Sequence, residues 1–285
     1  MSWSRWASRA LPALALAALA ALPAAAADLK AAAEDVTGHP VAYAVNSHWH
    51  LEHYQGNQVF ASDASILGTA STRVQIMEGN PPRLAREKAE YPGELRELED
   101  KLALMHDGPD RTALAQRVEA IREYVEALPT IEVTPPNITF DRQLSLYGSA
   151  RTVELIELGG GHSVSDTVTY LPEDGVLFTG DLLTVNQHPY CLEGNLQDWI
   201  KALNELLQFN ANKVVPGHGP LGTPHELATV RSYLTEIGAG AAAFAESGAP
   251  LAELQKVTIP EPYAGWRSSG LYQANFKHLV EQLRP

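Results

Sequence analysis

Four short patches constrain this chain more than any other feature: Ser47-His48-Trp49-His50-Leu51-Glu52-His53, Gly161-His162-Ser163, Thr179-Gly180-Asp181 and Pro216-Gly217-His218-Gly219. Each follows an apolar run of strand character, so each is read as a turn at the end of a strand. Together they hold five imidazoles and two carboxylates, a donor set suited to two adjacent divalent zinc ions. In an extended backbone alternate side chains share a face, so His48 and His50 reach one metal from the same side. A turn after them directs Glu52 and His53 toward a second ion, and Gly56-Asn57 lets the chain turn away beneath it. Taken singly, His162 or His218 reads as a structural histidine and Asp181 as a helix cap; the shared pattern of apolar run, glycine and ligand is what unites them. Glycine at these points allows a tight turn or a close approach to an ion.

The rest of the chain supplies strands to carry those patches. Residues 28–36 predict a short Ala-rich helix, 41–45 a buried strand and 64–67 a weaker one. The charged, helix-periodic stretch at about 83–128, broken at Pro92-Gly93 and Gly108-Pro109, predicts a helical insertion laid over the domain as a hairpin. After Pro135-Pro136 short alternating runs at 138–140, 143–147, 152–158, 167–171 and 176–178 predict a sheet, and 213–215 one further strand that delivers His218. A helix from about Leu196 follows Asn195 as cap, and another starts at Pro224, where Thr223 and Glu226 have capping-box spacing.

Composition narrows the setting. Arg5 and Arg9 precede an apolar run ending at Leu22, followed by Ala25-Ala26-Ala27, the layout of a cleaved secretory signal over residues 1–27. That run is short and interrupted by Pro12 and Pro23, and no later segment is apolar enough to span a bilayer. Residues 28–285 then form the mature domain, expected in the periplasm or outside the cell. The formal net charge of −13 argues against a nucleic-acid partner or anionic membranes. Removing Arg5 and Arg9 makes it more negative still. Cys191 is the only cysteine, so no intramolecular disulfide forms, and it reads as a packing residue.

On these ordered motifs, from about Val41 onward, the chain resembles the metallo-β-lactamase superfamily of hydrolases. The resemblance implies an α/β fold, an αββα sandwich with the metals at one edge between two sheets. It assigns His48, His50 and His162 to the first zinc, Glu52, His53 and His218 to the second, and Asp181 to a bridge between them. Asp181 and Glu52 then serve as the catalytic carboxylates around an activated water. The sequence departs from the family at two points. Glu52 stands where the family usually carries aspartate, which lengthens the side chain by a little over ~1 Å and predicts a weaker or displaced second site. With the leader removed only about twenty residues would precede His48, which predicts a shortened first sheet or an edge covered by a partner chain.

The activity implied is that of a secreted dinuclear zinc hydrolase acting on a small ester, thioester, lactone or amide. The Thr-Gly-Asp form is common in relatives of that kind and unusual in true β-lactamases, although an exported address suits a β-lactamase. Two further alternatives stand: a mononuclear iron sulfur oxidoreductase using the first three histidines, and a catalytically silent metal-binding protein. The segment after Asp181 looks like a loop that some relatives place beside the metals, making His188 and Tyr190 candidate substrate contacts, with loop packing as the competing role. A small-molecule substrate is the expected partner, and a homo-oligomer is left open.

Overall fold

The computed structural model describes residues 13–15 and 22–284, which fall into two compact units, one ending at Thr139 and the other beginning at Phe140.

The first unit is built on a four-stranded sheet of order β1-β2-β3-β4: Ala13–Ala15 (β1), Val41–Val45 (β2), Ser65–Thr69 (β3) and Ile138–Phe140 (β4). β1 and β3 both run parallel to β2. β1 lies inside the run read as a leader, and helix α1 (Pro23–Thr37) starts ahead of the expected Asp28, with Pro23 in the first turn where its missing N–H costs nothing. Ala26, Val41, Ala44, Phe60, Ala64 and Ile66 bury the apolar faces of these elements against one another. Residues 138–140 do not join the second sheet as the sequence pattern predicted. Asn137 pins β4 to β3 instead, its N–H donating to the Ile66 carbonyl at 2.9 Å and its Oδ1 accepting from Ile66 N–H at 2.8 Å.

Helices α2 (Leu51–Tyr54), α3 (Ala70–Glu78), α4 (Asn80–Ala103) and α5 (Pro109–Ala127) complete this unit. Gly108-Pro109 separates α4 from α5, but Pro92-Gly93 breaks nothing, and α4 runs through both. Proline keeps a helical φ and forfeits one hydrogen bond. That loss is offset by α5, which meets α4 through Glu87–Tyr124, Glu94–Arg117 and Glu99–Arg122. The latter two pairs are exposed and contribute little each. Leu84, Leu128 and Ile131, with Tyr91 and Tyr124, form the apolar contact at the base of the hairpin.

The second unit is built on a five-stranded sheet of order β5-β6-β7-β8-β9: Gln143–Tyr147, Thr152–Glu157, Thr167–Leu171, Val176–Thr184 and Lys213–His218. β5 to β8 form an antiparallel meander, and β9 returns parallel to β8 after helix α6 (Leu196–Leu206). A parallel return needs such a crossover. Asn195 caps α6, its Oδ1 accepting from Gln197 and Asp198 N–H. Thr223 and Glu226 close a capping box on α7 (Pro224–Glu246), and α8 (Gly270–Leu283) ends the described chain. Trp199, Leu203 and Leu206 on α6 and Val230, Leu234 and Ile237 on α7 enter one core with Leu177, Leu182 and Val214 of the sheet. Burying each large side chain there contributes about 1.5–3 kcal/mol. Thr179-Gly180-Asp181 is not at a strand end: β8 continues through it to Thr184.

Candidate metal centre

Seven candidate donors are divided between the two units, with His48, His50, Glu52 and His53 in the first and His162, Asp181 and His218 in the second.

In the first unit β2 ends at Val45 and the chain bends through residues 46–50 before α2, so His48 and His50 do not share a strand face. They meet nonetheless, because the bend brings His48 Nε2 to 3.1 Å from His50 Nδ1. Two imidazoles on one tetrahedral zinc have donor atoms about 3.3 Å apart, given zinc–nitrogen bonds of about 2.0–2.1 Å. The rings of His48 and His53 lie 4.0 Å apart by centroid. The Ser47 hydroxyl sits 3.1 Å from His48 Nδ1 and 3.3 Å from His53 Nδ1, so Nε2 is the nitrogen each ring offers a cation. Glu52 lies in the first turn of α2, half-buried beside buried His53.

The bend is held by amides that the sequence reading missed. Asn46 and Asn57, both buried, exchange side-chain hydrogen bonds of 3.0 and 2.8 Å. Asn46 Nδ2 also donates to the His53 carbonyl at 2.7 Å, and Asn57 Nδ2 to that of Thr134 at 2.8 Å. Asn80 donates to the Trp49 carbonyl at 3.1 Å. Trp49 itself packs on Leu51, Tyr54 and Ile76.

In the second unit His162 leads into a turn fastened by Ser163 and Asp166. Ser163 N–H and Oγ–H donate to the two Asp166 carboxylate oxygens at 3.0 and 2.7 Å. Ser-x-x-Asp spacing is a turn signal that could have exposed this pair in the sequence. His162 Nδ1 lies 3.2 Å from the Tyr190 carbonyl. A carbonyl only accepts, so Nδ1 donates to it and Nε2 is the nitrogen left to face a cation. That Nε2 is 3.5 Å from Asp181 Oδ2, and His218 Nε2 is 3.2 Å from the same oxygen.

A bulge sets Asp181 in place. β8 and β9 are in register at Gly180–Pro216 and again at Thr184–His218, so four residues of one strand match two of the other. The extra residues bend β8 and re-aim Asp181, with Gly180 at φ +52° taking the turn. On β9 a Cβ at position 217 would lie 1.9 Å from Asp181 Oδ1. Only glycine lets the strand pass this carboxylate. Imidazole nitrogens around a shared carboxylate oxygen suit a divalent transition metal, and the residues present therefore fit one.

The two candidate substrate contacts fare differently. His188 is 0% exposed, with its ring among Tyr233, Trp266 and Tyr272 and its Nδ1 3.2 Å from the Tyr233 hydroxyl. It belongs to the aromatic core of its unit rather than to a surface that substrate could touch. Burial holds its pKa below the ordinary imidazole value, opposed by a hydrogen bond to the Tyr263 backbone. Tyr190 is half-buried and directs its phenol to Glu193 at 3.4 Å, and its backbone carbonyl is what engages His162. Cys191 is buried, its thiol pushed up by burial, in keeping with a packing role.

The fold and these donors define a metal-binding member of a known class: residues 15–218 match the sequence model of the metallo-beta-lactamase superfamily, and the chain belongs to that family. Among curated relatives, the type 2 metallo-beta-lactamase of Bacteroides fragilis is 34% identical over 94 residues, which is 30% of this chain and 37% of the relative. The chain thus matches little more than a third of that relative's length. Among solved structures, a metallo-beta-lactamase from Pontibacter korlensis is similar at 20% identity and a TM-score of 0.51, covering 73% of this chain and 75% of the other. The DIM-1 metallo-beta-lactamase is similar at 18% identity and a TM-score of 0.50, covering 74% and 78%. At these identities the likeness shows the fold.

Proposed function

We propose that the chain is an exported dinuclear zinc hydrolase that cleaves a small ester, thioester, lactone or amide. By the family resemblance His48, His50 and His162 would hold one ion and Glu52, His53 and His218 the other, with Asp181 shared between them. The observation that carries this reading is Asp181 Oδ2, which lies 3.5 and 3.2 Å from the Nε2 atoms of His162 and His218. Bound zinc ions supply an acidified water at neutral pH and a Lewis acid for the oxygen of the bond being cut. In this scheme the Asp181 carboxylate would orient the attacking water, and Glu52, where it is not fully engaged as a ligand, would orient that water or accept its proton. No side-chain nucleophile is needed.

A second reading is β-lactam hydrolysis. The names of the relatives above favour it. A panel of esters, thioesters, lactones, amides, β-lactams, phosphodiesters and sulfate esters separates the two. The expected result is turnover of one of the first four classes, abolished by a chelator and restored by zinc. Turnover confined to β-lactams selects the second reading, and a zinc-loaded protein silent on the whole panel overturns both.

Export rests on the leader pattern at 1–27. Among the described residues no helix is long and apolar enough to cross a membrane. Because β1 lies within that run, cleavage leaves a first sheet of β2, β3 and β4. N-terminal sequencing of the exported protein should begin at Asp28; a protein that retains residues 13–15 contradicts the leader.

A further inference from the structure

The ligand turn in the first unit is gripped on both sides by the α4–α5 hairpin. Asn80, the first residue of α4 and 0% exposed, donates to the carbonyl of Trp49, between His48 and His50, at 3.1 Å. On the other side Gln55, two residues beyond His53 and 1% exposed, donates Nε2–H to the Tyr124 hydroxyl of α5 at 3.1 Å. That hydroxyl donates in turn to Glu87 Oε2 of α4 at 2.7 Å, and Arg83 Nε donates to Glu87 Oε1 at 3.1 Å.

Every direction in this chain of bonds is consistent. The Gln55 amide nitrogen and the Arg83 guanidinium only donate, the Glu87 carboxylate accepts from both sides, and the Tyr124 phenol does one of each. Burial pushes the Tyr124 phenol well above its usual range, so it keeps the proton it donates. Glu87 is 6% exposed, and a carboxylate taken this far from water must find such partners. Apolar contact at Leu84, Leu128 and Ile131 already joins the hairpin to its unit, and that kind of contact tolerates sliding. Hydrogen bonds of fixed direction do not.

We infer that the hairpin is the brace of the metal-ligand turn: Asn80 and the Gln55–Tyr124–Glu87 chain are positioning residues that fix the spacing of His48, His50, Glu52 and His53. The inference rests on the two-metal reading above. Outer partners of metal ligands typically govern affinity by about 10–100-fold.

The test uses the full chain and zinc, with Tyr124→Phe and Asn80→Leu as variants and Val118→Ala as control, since Val118 is buried on α5 and makes none of these bonds. Zinc affinity by competition with a chromophoric chelator, the visible spectrum of the cobalt(II) form and the unfolding temperature of the metal-free protein are recorded for each. Tyr124→Phe and Asn80→Leu should each weaken zinc binding about tenfold or more and alter the cobalt spectrum. Val118→Ala should lower the unfolding temperature and leave zinc affinity and spectrum as in the wild type. Wild-type affinity and spectrum in both tether variants overturn the brace, as does an equal loss of affinity in Val118→Ala. A wild-type protein that binds no zinc overturns the two-metal reading and the brace with it.

Discussion

Burial and hydrogen-bond partners, more than position in a motif, decide what each histidine of this chain can do. His162 is buried with Nδ1 committed to a carbonyl, whereas His188 is buried among aromatic rings with its charged form disfavoured. The folded pKa of His188 lies below the ordinary value of 6.5, so the unfolded chain takes up the proton first. Its contribution to stability is therefore present above about pH 6.5 and declines as pH falls toward the folded value. Thermal unfolding followed from about pH 7.5 to 5.5 should show a smaller loss for His188→Phe, which keeps a ring in the cluster, than for the wild type. Parallel profiles would contradict the assignment. The candidate donors were legible in the sequence because glycine and histidine recur at the ends of apolar runs. Asn46, Asn57 and Asn80 were not, because an amide that is buried by partners 7 to 77 residues away has the same sequence appearance as one in a surface loop. The packing partners of His188 were hidden for the same reason: Tyr233, Trp266 and Tyr272 come from α7, the turn before α8 and α8 itself.

Elements were legible where local signals and packing agree. The capping box at Thr223 and Glu226 and the Asn195 cap mark α7 and α6 within a residue. Two elements differ because a long-range partner outweighs the local signal. Pro92 should interrupt a helix and does not, since α5 lies along α4; residues 138–140 read as part of a meander, yet Asn137 fastens them to β3. The proline makes a prediction possible. Pro92→Ala restores one helical hydrogen bond in an element already formed, and should stabilise the protein by about 1–3 kcal/mol, measured by chemical denaturation, with zinc affinity unchanged. A destabilised variant would show that the proline shapes α4 in a way its neighbours need. β8 offers the opposite lesson, for its bulge at Gly180 places a candidate ligand inside a strand where the pattern placed a strand end.

For the chain taken whole, family membership rests on ordered motifs spread over residues 15–218, and that order was visible before any geometry. What composition could not supply was the framework between motifs: the inserted hairpin's grip on the ligand turn, and the strand at 13–15 within the leader run. Glu52 remains the feature that separates this chain from the family's usual acid, and on the two-metal reading it bears on how firmly a second ion would be held. The most direct test of the two-metal centre is zinc content per chain, measured on the wild type and on Glu52→Gln and Asp181→Asn after dialysis against trace zinc. The account predicts about two ions per chain in the wild type and about one in Glu52→Gln, with hydrolysis lost in Asp181→Asn. Two firmly held ions in Glu52→Gln, or full hydrolysis by an Asp181→Asn protein, would contradict it.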